Sequence, residues 1–320
     1  MTNFQVYRKT LSFSLLSFAV DILAILVLVG LTAAGFFVAY AASGNQPVPA
    51  LAGLFIGLIL GIIALVLINI FIRNRIKAAQ IAMMAKGVTE GDLPDNTFHA
   101  GFEEVKGRFG TVTLFFFITN AIKNVFRQIG RGINRLGTAV GGDTGNAITS
   151  AINSAIQTLV GYLCDCCLGW IMYRRDINAA KAGCEGAVIF FRSGKTLFRN
   201  IGRIFGMGFL SFILIGGGLF GIFYLLFSQV PQLFNPLMDA VKEVTEGEAI
   251  DSSAYVIGAS VILALFLWSG IHSVLVRPFI LVGVMRNFML AGQKNMPTEA
   301  DFEEVARKAP KLRKLQNSIE

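Results

Sequence analysis

LSFSLLSFAVDILAILVLVGLTAAGFFVAYAA, residues 11–42, carries a single charge, Asp21, in a run longer than the roughly 20 apolar residues that a bilayer requires. Residues 50–72 and 253–276 contain no charged side chain at all. Residues 204–228, IFGMGFLSFILIGGGLFGIFYLLFS, add a fourth run, in which Gly206, Gly208, Gly216, Gly217 and Gly218 leave small faces where another helix can approach closely. Residues 145–173 supply a fifth candidate. TVTLFFFITNAI, 111–122, is too short to cross alone and does so only if its helix continues to about residue 135. The composition agrees: 54% of the chain is hydrophobic and 15% charged, with a mean hydropathy of +0.63, against about 45–50% apolar and about 25% charged in a soluble domain. The expected fold class is all-α, a polytopic integral membrane helical bundle of about six transmembrane helices with amphipathic surface helices, forming a single domain over 1–320.

The first run is too long, and with Asp21 too acidic, for a cleaved signal peptide, so it reads as a retained helix. Basic residues set the orientation. Arg8 and Lys9 precede the first span, Arg73, Arg75 and Lys77 follow the second, Arg174, Arg175 and Lys181 follow the fifth candidate, and Arg277 and Arg286 follow the last. The 229–252 loop instead holds Asp239, Glu243, Glu246, Glu248 and Asp251 against Lys242. The positive-inside rule then places both termini and the 291–320 tail in the cytoplasm, with 43–49, roughly 136–146 and the acidic 229–252 loop outside. The plasma membrane is the expected location.

After residue 122 the chain reads KNVFRQIGRGINR, with Lys123, Arg127, Arg131 and Arg135 at intervals of four and Ile122, Val125, Phe126, Ile129, Ile133 and Leu136 opposite. One reading is a basic helix over 123–135 lying on anionic lipid headgroups. The other is the basic lining of a water-filled vestibule. Four cysteines, Cys164, Cys166, Cys167 and Cys184, sit in or beside apolar helix. They read as small packing residues, since a zinc site needs a second ligand pair that their spacing does not offer. No metal and no cofactor is expected.

FFRSGKTLFRN, residues 190–200, contains the Gly-Lys-Thr of a phosphate-binding loop, but the glycine required five positions earlier is Ile189, and no strand-like run precedes it. Neither a nucleophile with its base nor a metal constellation is present in the pattern, and the chain is not expected to be an enzyme or to bind nucleic acid. Two short echoes suggest parallel halves. Arg8-Lys9-Thr10-Leu11 is matched by Gly194-Lys195-Thr196-Leu197, and Phe102-Glu103-Glu104-Val105 by Phe302-Glu303-Glu304-Val305.

CDCCLGWIMYRRDINAAKAGCEGAVIFFRSGKTLFRNIGRI, residues 164–204, resembles the choline transporter-like family of membrane solute carriers. The resemblance rests on Cys166, Cys167 and Trp170, then Asn178-Ala179, Phe190, Ser193, Lys195 and Phe198, then Arg199-Asn200 with Arg203. Upstream, Leu93-Pro94 and RFGTVTLFFFITNAIKNVF are similar to the family's Gly-Ser-x-x-x-Gly helix, with Gly110-Thr111 in place of Gly-Ser and Phe115 in place of the second glycine. It covers roughly 75–230. Members of that family have about ten spans and a glycosylated outer loop, which this chain lacks.

The resemblance implies secondary transport of choline or a similar small organic cation by alternating access. A quaternary ammonium donates no hydrogen bond, so its site needs aromatic faces and a carboxylate. Substrate-binding candidates are Trp170, Asp165, Tyr162, Trp268, Asp21 and Tyr224, with Tyr173 beside them. Each aromatic also fits the interfacial belt of any membrane protein. Asp21 is read either as a structural polar contact or as a cation or proton site, Glu185 as a solvated residue, and His272 as a hydrogen-bonded interface histidine or a proton-coupling group. The competing expectation is a non-transporting membrane scaffold, acting as a homo-oligomer or a subunit of a larger complex.

Overall fold

A 40-residue helix is about 60 Å long, twice the hydrocarbon thickness of a bilayer, and three helices of this protein reach or exceed that length. In the computed structural model, which describes residues 1–44, 46–110, 118–124, 143–192, 194–230, 232 and 252–308, every element is helical. In chain order these are α1 (Asn3–Ala42), α2 (Pro47–Ile68), α3 (Asn74–Thr89), α4 (Thr97–Arg108), α5 (Asp143–Tyr173), α6 (Ala179–Arg192), α7 (Gly194–Ser211), α8 (Gly217–Gln229), α9 (Ser252–Ile271), α10 (Arg277–Lys294) and α11 (Glu299–Lys308). Wider i→i+5 turns at Asn69–Arg73, Phe212–Gly216 and His272–Val276 join α2 to α3, α7 to α8 and α9 to α10. Four helices among the described residues are long and apolar enough to cross a membrane: Asn3–Ala42, Val48–Thr89, Gly202–Gln229 and Ser253–Lys294.

The chain divides into two units, Met1–Asn200 with Leu281–Glu320, and Ile201–Ile280. In the first, a Thr2–Gln5 capping box starts α1, and Ser43 with Gly44 at φ +66° stops it. Pro47 then opens α2 at a position where its missing N–H costs nothing. The two helices return antiparallel at backbone contact. A Cβ at Gly35 meets the Gly53 carbonyl oxygen, and one at Gly57 meets that of Leu31. Large apolar side chains such as Leu26, Val38, Phe55 and Ile59 remain exposed around this pair.

The surplus length of α1 and of the α2–α3 helix builds a core of ordinary protein type. Val6, Phe13 and nearly the whole of α3 from Ile76 to Val88 are buried there. Gln80 donates to Ser14 Oγ at 2.6 Å and to the Thr10 carbonyl at 3.2 Å, so the polar groups inside this packing are satisfied. Phe98 and Phe102 of α4 close over Phe13, with ring centroids 5.1 and 6.0 Å away.

The expected span 145–173 is helical, but residues 162–172 are buried in this core and do not face outward. Apolarity alone does not distinguish a core helix from a crossing one. Of the expected span 111–135, residues 118–124 are helical, with Ile118 and Ile122 buried, and the remainder lies outside the described residues, as does the basic stripe beyond residue 124. So does the 229–252 loop apart from its ends. The 291–320 segment is not a detached tail over its described part. Phe302 and Val305 of α11 pack on Cys184, Ala187 and Val188 of α6, and Asp301 pairs with Arg192 at 2.6 Å.

The two sequence echoes belong to a longer repeat of elements. Each begins with a long first helix, α1 or α7–α8. Next comes a second long helix with an i→i+5 turn, Asn69–Arg73 or His272–Val276. Beyond that turn lies a buried continuation, through Val88 or Met289. A linker with Leu93-Pro94 or Met296-Pro297 then leads to a short helix bearing Phe-Glu-Glu-Val, α4 or α11. In chain order, the α5–α6 pair falls between the two copies.

Candidate functional site

In the first unit, α5 and α6 carry most of the residues that the sequence singles out. Asn178 starts α6, its side chain accepting from the Ala180 N–H at 3.0 Å, and Ala179 is the first residue of the helix. The helices then pack so closely that a Cβ at Gly186 would lie 3.0 Å from Cys167 Sγ. Across this contact the Trp170 indole N–H donates to Glu185 Oε2 at 2.9 Å, and Arg174 Nη1 donates to the same oxygen at 2.8 Å. Trp170 is fully buried and Glu185 is 5% exposed, so Glu185 is a core carboxylate and not the solvated residue expected.

Arg174 also holds Asp176 through two hydrogen bonds at 2.8 and 2.7 Å. The Asp176 hydrogen bond raises the Arg174 guanidinium further above its ordinary value, with the Glu185 charge adding to it. Arg108 of α4 donates to the carbonyls of Arg174 and Ile177, at 2.9 and 2.7 Å, which fixes the end of α5.

Asp165, 2% exposed, pairs with Lys77 of α3 at 2.5 Å. Tyr162 is buried one turn earlier, and Tyr173 packs on Trp170 with centroids 5.3 Å apart. Asp165, Tyr162 and Trp170 thus belong to one packed helix; the cation beside Asp165 is Lys77, and the one beside Glu185 is Arg174. A Cβ at Gly292 would fall 2.6 Å from the Trp170 ring, so α10 closes the remaining face of the indole. Burial pushes the Cys184 thiol up to about 12, which keeps it protonated and unreactive.

Asp21 sits elsewhere in the first unit, on α1 against the wider turn Asn69–Arg73. It meets Arg73 at 3.5 Å, and the two line a crevice of about 290 Å³ with Val20, Ala24, Ile25, Leu65, Ile68 and Asn69. Among the described residues, no aromatic side chain lines it.

The second unit holds the other candidates. Trp268 meets Phe212 edge-on, centroids 5.1 Å apart at 81°, and His272 at 5.3 Å. Its indole nitrogen is buried without a hydrogen-bond partner among the described residues. Wider turns begin at Phe212 and at His272, and such turns recur at functional sites because each frees backbone groups from the helical ladder. Tyr224 stacks on Phe220 of its own helix, centroids 6.0 Å apart.

Ser193 lies outside the described residues, while Lys195, Phe198, Asn200 and Arg203 lie on α7. Helix borders Ser193 on both sides, a setting unlike the strand, loop and helix of a phosphate loop.

Sequence reasoning missed the partners. Lys77, Arg73 and Arg174 appeared only as orientation signals, and nothing in the spacing ties Lys77 to Asp165 or Arg73 to Asp21. Among the described residues, the geometry is all-helical, with four helices of membrane-crossing length and a buried ionic core. Comparison with protein-family models, curated proteins and solved structures finds no match.

Proposed function

We propose that this chain is a multi-pass integral membrane protein of the plasma membrane with four crossings and both termini in the cytoplasm, and that it carries out secondary transport of choline or a similar small organic cation. The repeat of elements is the observation that carries the transport reading, because duplicated helical units are a recurrent plan of secondary transporters. The family resemblance supplies the substrate class.

The four membrane-length helices and the positive-inside charges support the topology. The polar 143–161 part of α5, with Asn146, Asn153 and Gln157, favours four crossings over six. Cysteine placed at 136–142 is then expected to resist an impermeant maleimide added outside, as cysteine in 83–100 does, while cysteine in 233–251 reacts. Labelling at 136–142 from outside would restore six crossings. In the proposed topology the basic stripe 123–135 rests on anionic lipid at the cytoplasmic surface.

Phe212, Trp268 and His272 are the proposed substrate-facing residues, ahead of Trp170 and Asp165. Protein in liposomes is expected to take up radiolabelled choline, and Trp268→Ala to weaken uptake about tenfold or more while Trp268→Phe does less, since a cation over an aromatic face gains about 0.5–2 kcal/mol. Absence of saturable uptake at millimolar choline would overturn transport. The second reading, a membrane scaffold or complex subunit, is favoured by the ion-paired state of Asp165, Asp21 and Glu185, which leaves each of these carboxylates already matched to a protein cation.

A further inference from the structure

The Asp21–Arg73 crevice has features that the transport reading does not use. The pair is long for a salt bridge, at 3.5 Å through Arg73 Nε, and both side chains are about 40% exposed, at 36% and 43%. Asn69 beside them opens the i→i+5 turn that ends at Arg73, so the helix is widened where these groups gather. From Asp21 to Ala42 the helix rises about 32 Å with no further charge, close to the hydrocarbon thickness of a bilayer. The pair therefore stands at the depth of lipid headgroups once α1 and α2 cross.

On α1, Ile25, Val29, Ala33 and Phe37 continue from Asp21 at intervals of four, forming one row of neighbours. The row leads into a second hollow of about 560 Å³ on the same two helices, lined entirely by apolar groups apart from Thr32, with Phe36, Leu54 and Leu58 among them. A neighbouring anion and cation at headgroup depth, joined along the helix to an apolar hollow, match the two charges and the chain of one kind of molecule.

We propose that the α1–α2 seam is a binding site for a glycerophospholipid with a zwitterionic headgroup. Arg73 receives the phosphate, Asp21 and Asn69 face the ammonium, and an acyl chain lies along the Ile25–Phe37 row. The inference rests on the crossing of α1 and α2, which cysteine labelling tests separately, and is independent of choline uptake.

The test uses the full chain purified in detergent, given equal amounts of dioleoyl phosphatidylethanolamine and dioleoyl phosphatidylglycerol, with retained lipid counted by native mass spectrometry. The unaltered protein is expected to keep one phosphatidylethanolamine per chain in about tenfold preference. Arg73→Gln should lose that lipid about tenfold or more, and Arg73→Lys should keep most of it. Asp21→Asn should reverse the preference towards phosphatidylglycerol, because Arg73 is then left without its counter-charge. Ala33→Trp should weaken retention without changing the preference, since it fills the acyl row and not the mouth. Each variant is checked for an unchanged helical circular dichroism spectrum. Equal retention of the two lipids by the unaltered protein, or an unchanged preference in Asp21→Asn, overturns the proposal. Full competition by soluble phosphoethanolamine overturns the acyl part of it.

Discussion

Replacing Arg174 by alanine lowers the unfolding free energy by about 3–5 kcal/mol, because it strips the ionic partner from a carboxylate that cannot return to water. Glu185 would keep only the Trp170 indole as a neutral donor at 2.9 Å. The desolvation already incurred by Glu185 is then offset by one hydrogen bond in place of two. Asp176→Ala removes another partner of Arg174, but that carboxylate is 62% exposed, and a solvated surface pair contributes little to stability. Thermal unfolding of the two variants in one detergent separates the cases. Equal midpoints for Arg174→Ala and Asp176→Ala would mean that the Trp170–Glu185–Arg174 cluster adds nothing beyond a surface contact.

The second large effect is expected at Gly57. A Cβ there meets the Leu31 carbonyl oxygen and stands 3.1 Å from Thr32 Cα, so the obstacle is backbone, which cannot rotate away as a side chain can. Gly57→Leu must push α1 and α2 apart along the whole seam. Overpacking costs about 1–3 kcal/mol when side chains can yield, and here the upper end, about 3 kcal/mol, is expected. Gly30→Leu is the control, since a Cβ at Gly30 has nothing within 4 Å. It should be neutral or slightly stabilising, as leucine favours helix over glycine by about 0.5–1 kcal/mol. Matching thermal midpoints for the two leucine variants would show that the hairpin does not depend on backbone contact.

Both predictions follow from packing that hydropathy leaves undefined. The run 162–172, LCDCCLGWIM with its preceding Tyr162, is apolar enough to read as lipid-facing. Its neighbours are instead Met285 against Gly169 and the α10 glycine Gly292 against Trp170, more than a hundred residues away in sequence. Water exclusion by protein and by lipid selects the same side chains, so composition is silent about which of the two surrounds a helix. Glu185 was misread for the related reason that a carboxylate within a helical pattern looks solvated unless its partner is known.

By itself the sequence determined the all-helical class, through long runs almost free of charge, in which a helix satisfies every backbone group internally. It also set the positions of the four membrane-length helices and the first sign of a repeat, in Phe102-Glu103-Glu104-Val105 and Phe302-Glu303-Glu304-Val305. Only the tertiary structure decided that α3 and the end of α5 form a core, and that Asp165 faces Lys77, Asp21 faces Arg73 and Glu185 holds Trp170 and Arg174. Helical periodicity relates residues three or four positions apart, whereas these partners are 88 and 52 positions apart for the first two pairs, or lie on the next helix for the third. Their meeting depends on how whole helices pack, a long-range outcome that no local pattern encodes.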